Sequence, residues 1–363
     1  MIGHGCMIGP PEAAGKGVQL IGRVPIIGER YTVIGVQDTG ARSSNGATLK
    51  QVRYNGSGIV ETTLETAYFD EHPLYQFPDW TDAASNVFCT IPIAYWWRGN
   101  LPDVANGTTP RWTMLLSTRP GTVNINGTSC TFTANPGAFK LSGAWLPQFY
   151  YGKYRGHNAG SSKVGSKSGQ TAWGNVSFNN FRTYCANNGT GYHMGSLFEW
   201  HEVLARMVVE KKTFQLFPEA IRQTQSSCKW RGIEDMAYHG AIYVEWMDGI
   251  RTGATGAYEA WDQANGTYGA TGQAAAIGTG ESTSCGQGVV GGGIFDGLFI
   301  ASTMGPVATS FIPDYSGRDS NTVSRVCFAS SNAGHVNNGA FSSDFLYASS
   351  DVNAFVGARL AKW

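Results

Sequence analysis

The sequence predicts an α+β fold: two helices among short, loop-rich β-strands, preceded by a small β-rich N-terminal segment. Two stretches carry apolar residues at helical spacing behind a serine able to cap them, Ser177 to Asn187 and Ser196 to Lys212. Elsewhere the apolar runs are short and stop at Gly, Pro or Asn, the punctuation of strands and turns. Gly supplies 48 of 363 residues and charged types only 14%, against about 25% in typical soluble domains. With 12% aromatics, this composition suits a compact, rigid, loop-rich protein and not a disordered chain.

The length suits one large domain plus a smaller one, placed at 1–75 and 76–363. In the first, Val18-Gln19-Leu20-Ile21, Val24-Pro25-Ile26-Ile27 and Tyr31-Thr32-Val33-Ile34 read as short strands or extended arms. Asp38-Thr39-Gly40 and Asn45-Gly46 read as turns. Such a segment is a poor core by itself and is expected to serve attachment or oligomerisation.

Phe88 to Trp97 reads as one apolar strand, with Trp112 to Leu116 as its partner. Asn124-Ile125-Asn126-Gly127-Thr128 is a hairpin signal, and Phe149 to Tyr154 an aromatic strand. The first helix places Phe178, Phe181 and Tyr184-Cys185 on one face and stops before Gly189. The second opens on the capping box Ser196-Leu197-Phe198-Glu199 and continues with Trp200, Val203, Leu204, Met207 and Val208. Glu199 and Glu202 near its start and Lys211-Lys212 near its end suit the helix dipole. Gly253 to Gly293 is rich in Gly, Ala and Thr and is expected to hold short strands, since so long a structureless loop is unusual. Val323 to Ala329 and Phe341 to Tyr347 are the last strand candidates.

A net charge of zero argues against nucleic-acid binding, which needs a basic stripe. No run of about 18 apolar residues predicts a membrane span, and Met1 to Pro11 has no signal-peptide pattern. Seven scattered Cys without a C-x-x-C pair predict mostly free, buried thiols.

The segment 305–361 contains no Lys, Glu, Gln, Met or Trp. Those five types fill 52 of the first 304 positions, a rate that would place about ten here. None of the five has a codon ending in a pyrimidine. The pattern is that of a surface whose residues were shuffled at the gene level, which points to recognition.

Four segments, in order, resemble one family. They are Phe149 to Tyr154 with Ser166-Lys167-Ser168-Gly169; Phe181 to His193 leading into Glu199-Trp200; Trp230-Arg231-Gly232-Ile233-Glu234-Asp235 through Val244-Glu245-Trp246-Met247-Asp248-Gly249; and Val356-Gly357-Ala358-Arg359-Leu360. The chain from about residue 85 onward is similar to C-type-lectin-fold proteins of the formylglycine-generating-enzyme-like branch. Within it, the chain most resembles phage tail and receptor-binding proteins, including the variable proteins of diversity-generating retroelements. In place of the family's terminal G-F-R it has Val356-Gly357-Ala358-Arg359.

The resemblance implies a C-type-lectin-like domain in a virion protein made in the host cytoplasm, at a tail tip or fibre. It implies a bacterial surface receptor, protein or glycan, as partner, with other tail proteins and a homotrimeric assembly. Randomised adenines in AAY codons would exclude those same five residue types. Carried over by position, the receptor contacts are Asp319, Asn321, Ser330, Asn332, His335, Asn337, Asn338, Ser342, Asp344, Tyr347, Ser349, Asp351 and Asn353. The alternative is a structural virion component: baseplate, collar or capsid decoration.

Enzymatic readings have little in the sequence to support them, and no cofactor is expected. Cys285 and Cys327 stand 42 residues apart, unlike the close thiol pair of the copper enzymes of that branch. His201-Glu202 lacks the second His of a zinc-protease motif, and Gly286 to Gly293 lacks the Lys of a P-loop. His193, His201 and His239 read as structural or exposed, and Glu234-Asp235 as a carboxylate pair without a recognisable cleft. Glu245 and Asp248 are expected to accept backbone N–H bonds from loops, and Trp230 and Trp246 to anchor them.

Overall fold

Alternation along the first long strand builds two cores at once. In Val33–Ser43, Ile34 and Val36 enter the main core while Val33 faces a second one. Pro110–Ser117 divides likewise, with Met114 and Leu116 on one side and Leu115 on the other. The structure, a computed structural model, describes residues 33–43, 46–217, 228–237, 244–254, 256–262, 267–275, 284–286, 298–300, 304–306, 312–315, 324–329, 341 and 343–363. The chain divides into the units Met1–Arg30 and Tyr31–Trp363; the first, with the strand candidates at 18–27, lies outside the described residues.

Seven strands form the largest sheet, in the order Ile59–Glu61, Gly46–Tyr54, Val33–Ser43, Pro110–Ser117, Tyr95–Pro102, Thr128–Ala134 and Gly121–Ile125. It curls: a side chain at Gly58, beside one edge, would collide with Asn126 Oδ1 beside the other. Val33, Val52, Ile59, Leu101, Leu115, Ile125, Cys130 and Phe132 fill the enclosed side. The expected hairpin at Asn126-Gly127 forms, with φ of 50° and 83° at those residues, the left-handed pair that a tight hairpin requires. Residues 33–61 thus share a sheet with 95–134.

The Phe88 to Trp97 run divides. Val87–Pro92 joins a five-stranded sheet and Tyr95–Pro102 the seven-stranded one. The five-stranded order is Tyr192–Met194, Leu360–Lys362, Gln148–Gly152, Val87–Pro92 and Asp79–Thr81. A third sheet runs Thr267–Ala274, Ala257–Asp262, Val244–Thr252, Arg325–Ala329 and Ser343–Tyr347, with Val356–Gly357 parallel to Val244–Thr252.

Among the described residues there are four α-helices: α1 (Thr66–Glu71), α2 (Pro136–Phe139), α3 (Phe178–Ala186) and α4 (Leu197–Lys211). Ser177 caps α3 by accepting from the Asn180 N–H, and Ser196 with Glu199 forms the capping box of α4. Every residue of α4 from Leu197 to Val209 is buried. Its polar side chains are met from distant strands and loops: Trp96 Nε1 donates to Glu202, Arg206 Nη2 to the Pro92 carbonyl, and the Phe299 N–H to His201 Nδ1.

These proportions correct the expected fold class. The chain is not an α+β, C-type-lectin-like domain of two helices and short strands; it is β-rich, 45% strand against 15% helix, with large curled antiparallel sheets. Strand is hardest to delimit where hydrophobic contrast is low. Thr267–Ala274 lies in the stretch expected to hold short strands, but it sets exposed Gly and Ala among half-buried Tyr268, Thr271 and Gln273, so no clean period-2 signal fixes its length. Val33–Ser43 extends through Asp38-Thr39-Gly40, a turn signal that here lies at a register shift within the strand. No helix among the described residues is long and apolar enough to cross a membrane.

Candidate functional site

The C-terminal segment is held at its end by a buried ionic knot. Arg359 and Arg155 each approach Glu245 at 3.2 Å, and all three side chains are 1% exposed. Arg359 Nη1 donates to the carbonyls of Gly152 and Lys153, and Nη2 to those of Glu234 and Asp235. Arg155 takes the carbonyls of Asp235 and Ala237. Among the described residues Glu245 therefore receives guanidiniums, not the backbone N–H groups expected of it. Trp246 Nε1 does tie a loop, donating to the Val176 carbonyl.

Asp248 serves two kinds of donor. Oδ1 accepts from the Gly249 N–H and the Tyr268 hydroxyl, and Oδ2 pairs with Arg182 at 2.9 Å. The Arg182 guanidinium lies 3.2 Å over the Trp261 ring, joining α3 to the Ala257–Asp262 strand.

Beyond Arg359 the chain enters the five-stranded sheet. Tyr150, Lys362 and Tyr192 form one row across three strands. The Lys362 ammonium sits 4.9 Å from the Trp80 ring and 4.8 Å from the Tyr192 ring. Trp363 stacks on His193 at 3.6 Å, and His193 Nε2 meets Glu199 Oε1 at 2.8 Å. Burial opposes the charged form of His193, but the Glu199 carboxylate outweighs it and raises the imidazole pKa.

Before this anchor, residues 347–355 form a turn-rich loop pinned to the chain just before and inside α3. The Asn179 N–H donates to the Ser349 carbonyl, and Asn179 Nδ2 to Ser349 Oγ at 3.1 Å. The Asn175 N–H donates to the Asn353 carbonyl. Within the loop, Asp351 Oδ2 accepts from the Ala348 N–H, Asn353 Oδ1 from the Phe355 N–H, and the Tyr347 hydroxyl from Asn353 Nδ2. The Tyr347 ring meets Trp246 edge-on at 5.8 Å.

The structure thus brings four of the sequence-derived contact residues, Tyr347, Ser349, Asp351 and Asn353, into one half-buried loop. Asp344 lies on the strand Ser343–Tyr347, opposite Phe328. Asp319, Asn321, Ser330, Asn332, His335, Asn337, Asn338 and Ser342 lie outside the described residues. Sequence reasoning missed Arg155, Asn175, Asn179 and Arg182, which hold this region. Arg182 stands in the quoted segment Phe181 to His193, which does not announce such a role, and the other three lie outside the quoted segments.

The groups considered for catalysis occupy structural settings. Cys327 is buried in the third sheet, while Cys285 belongs to a separate three-stranded one. His201 is buried against Phe299 and Phe341, and burial pushes its imidazole down to about 3. Glu234 pairs with Lys229 at the surface, and the Asp235 carbonyl receives Arg155 and Arg359. His239 lies outside the described residues. Among the described residues no group of three or more His, Cys, Asp or Glu is placed to hold a metal ion. No protein-family model and no curated protein matches the chain.

Proposed function

We propose that the protein is a virion component that attaches to a bacterial surface receptor through its 305–361 segment. The observation that carries this reading is the missing set of five residue types across that segment. The likeness of the four quoted segments to phage receptor-binding and retroelement variable proteins supports it. So does the way the segment ends. A surface open to many side chains needs a frame that does not depend on them, and Arg359 and the strand Leu360–Lys362 supply buried, backbone-directed anchoring. Modest single-site affinity is multiplied when many copies on one particle engage one cell, so a homotrimer among other tail proteins suits the task.

The test is binding of purified protein to intact cells of the host strain. Wild type is compared with a variant carrying Asn337→Ala, Asn338→Ala and Asp344→Ala; Tyr347 is kept because it packs on Trp246. Saturable binding that is lost in a still-folded variant is the expected result. No binding by native wild type would sink the reading and leave a structural role in the particle.

A further inference from the structure

In the stretch 346–355 the exposed large hydrophobic side chains stand among polar ones that are mostly hydrogen-bonded within the chain. Among the described residues four large hydrophobic side chains are exposed, and three fall here: Leu346 at 36%, Val352 at 58% and Phe355 at 46%. Tyr347, Ser349, Asp351 and Asn353 are half-buried, and each accepts a hydrogen bond from within the loop or from Asn179. We infer that the receptor contacted by this loop is a protein presenting an uncharged, apolar patch, and that Val352 and Phe355 are the contact residues. This rests on the receptor-binding reading above and narrows its partner class.

Glycan recognition depends on amides, carboxylates and hydroxyls aimed outward at sugar hydroxyls. In this loop most of those groups are engaged within the chain, leaving Ser350 and part of the Asp351 carboxylate exposed. Asn353 uses its carbonyl on the Phe355 N–H and its amide on the Tyr347 hydroxyl. The Asp351 carboxylate accepts from the Ala348 N–H and lies 3.9 Å from Arg325. The larger groups the loop offers outward are a branched aliphatic side chain and an aromatic one. Such groups gain from desolvation against another apolar surface, as at the centre of protein interfaces, and an exposed Val gains little against a hydroxyl-covered ring. Asp351 is the one ionisable acid or base between residues 346 and 355 apart from the Tyr347 phenol, so long-range charge steering contributes little. The polar residues act as positioning groups that hold Val352 and Phe355 outward.

The experiment measures binding of the full chain to intact host cells, to cells shaved with protease and to cells oxidised with periodate. Wild type is compared with Val352→Ser/Phe355→Ser. Both positions are exposed, and retained circular dichroism and melting temperature verify folding. The expected result is binding that survives periodate, is lost after protease, changes less than about twofold between low and high salt, and falls at least about tenfold in the double variant. Binding abolished by periodate but not by protease, or a double variant equal to wild type, overturns the inference while leaving receptor binding intact. No wild-type binding to any of the three cell preparations overturns both.

Discussion

The Arg359 guanidinium meets the Glu245 carboxylate at 3.2 Å, with both side chains 1% exposed. Arg155 reaches the same oxygen at 3.2 Å, so one carboxylate meets two buried cations. Glu245→Gln removes the carboxylate that meets both guanidiniums and leaves Asp235 as the weaker acid acting on the pair. We expect a loss of about 3–5 kcal/mol, read from urea unfolding. Adding Arg155→Met relieves the repulsion, so the double variant should lose less than the sum of the single losses.

Glu202 gives a pH prediction. It is fully buried in α4, and burial pushes its carboxyl from 4.5 up to about 7 against the opposing pull of Arg206 and the Trp96 indole. A carboxyl raised on folding holds its proton more tightly in the native state. Its contribution is complete below the unfolded value of about 4.5 and is lost as pH rises through about 7. Glu202→Gln keeps an acceptor for Trp96 and removes the titration. The stability difference, wild type minus variant, should therefore fall across that window when unfolding is followed at successive pH values.

Asn179→Ala removes the side-chain tie to Ser349 but keeps the backbone bond to its carbonyl. The site is exposed, so the cost to global stability should stay within about 1 kcal/mol. Amide exchange at residues 348–353 should nevertheless speed up, since the loop loses one of its two hydrogen bonds to Asn179. Unchanged exchange would show that Asn175 and the internal turns suffice.

Ser196→Ala tests the capping box. The hydroxyl accepts from the Glu199 N–H at 3.2 Å in a buried setting, so about 1–2 kcal/mol should be lost, measured as a lower urea midpoint with an unchanged slope.

What the sequence made legible was local. Ser177 and Ser196 mark their helices because a cap and the N–H it satisfies lie within three residues. Asn126-Gly127 marks its hairpin for the same reason. Long-range partners were not legible. Nothing in the sequence shows that Glu202, His201 and Arg206 are all buried, because Trp96, Phe299 and Pro92 arrive from about 100 residues away. The loop before Val356 shows the same limit. Tyr347, Ser349, Asp351 and Asn353 look like contact residues in a polar stretch, and only the fold shows that Ser349 meets Asn179, 170 positions earlier. The fold class failed for a related reason: strands were expected between Gly253 and Gly293, but one such as Thr267–Ala274 carries too little apolar rhythm to reveal its length.

The strand Leu360–Lys362 lies between Gln148–Gly152 and Tyr192–Met194, so the five-stranded sheet is cleaved in two without it. During synthesis Tyr192–Met194 must wait, unjoined to Gln148–Gly152, until residue 362 has left the ribosome. Any chain that stops within 305–361 lacks the piece that joins them. A gene whose 305–361 region tolerates extensive rewriting would thus carry its own proofreading: a substitution leaves the closing strand in place, whereas a premature stop or frameshift yields a protein that cannot finish folding.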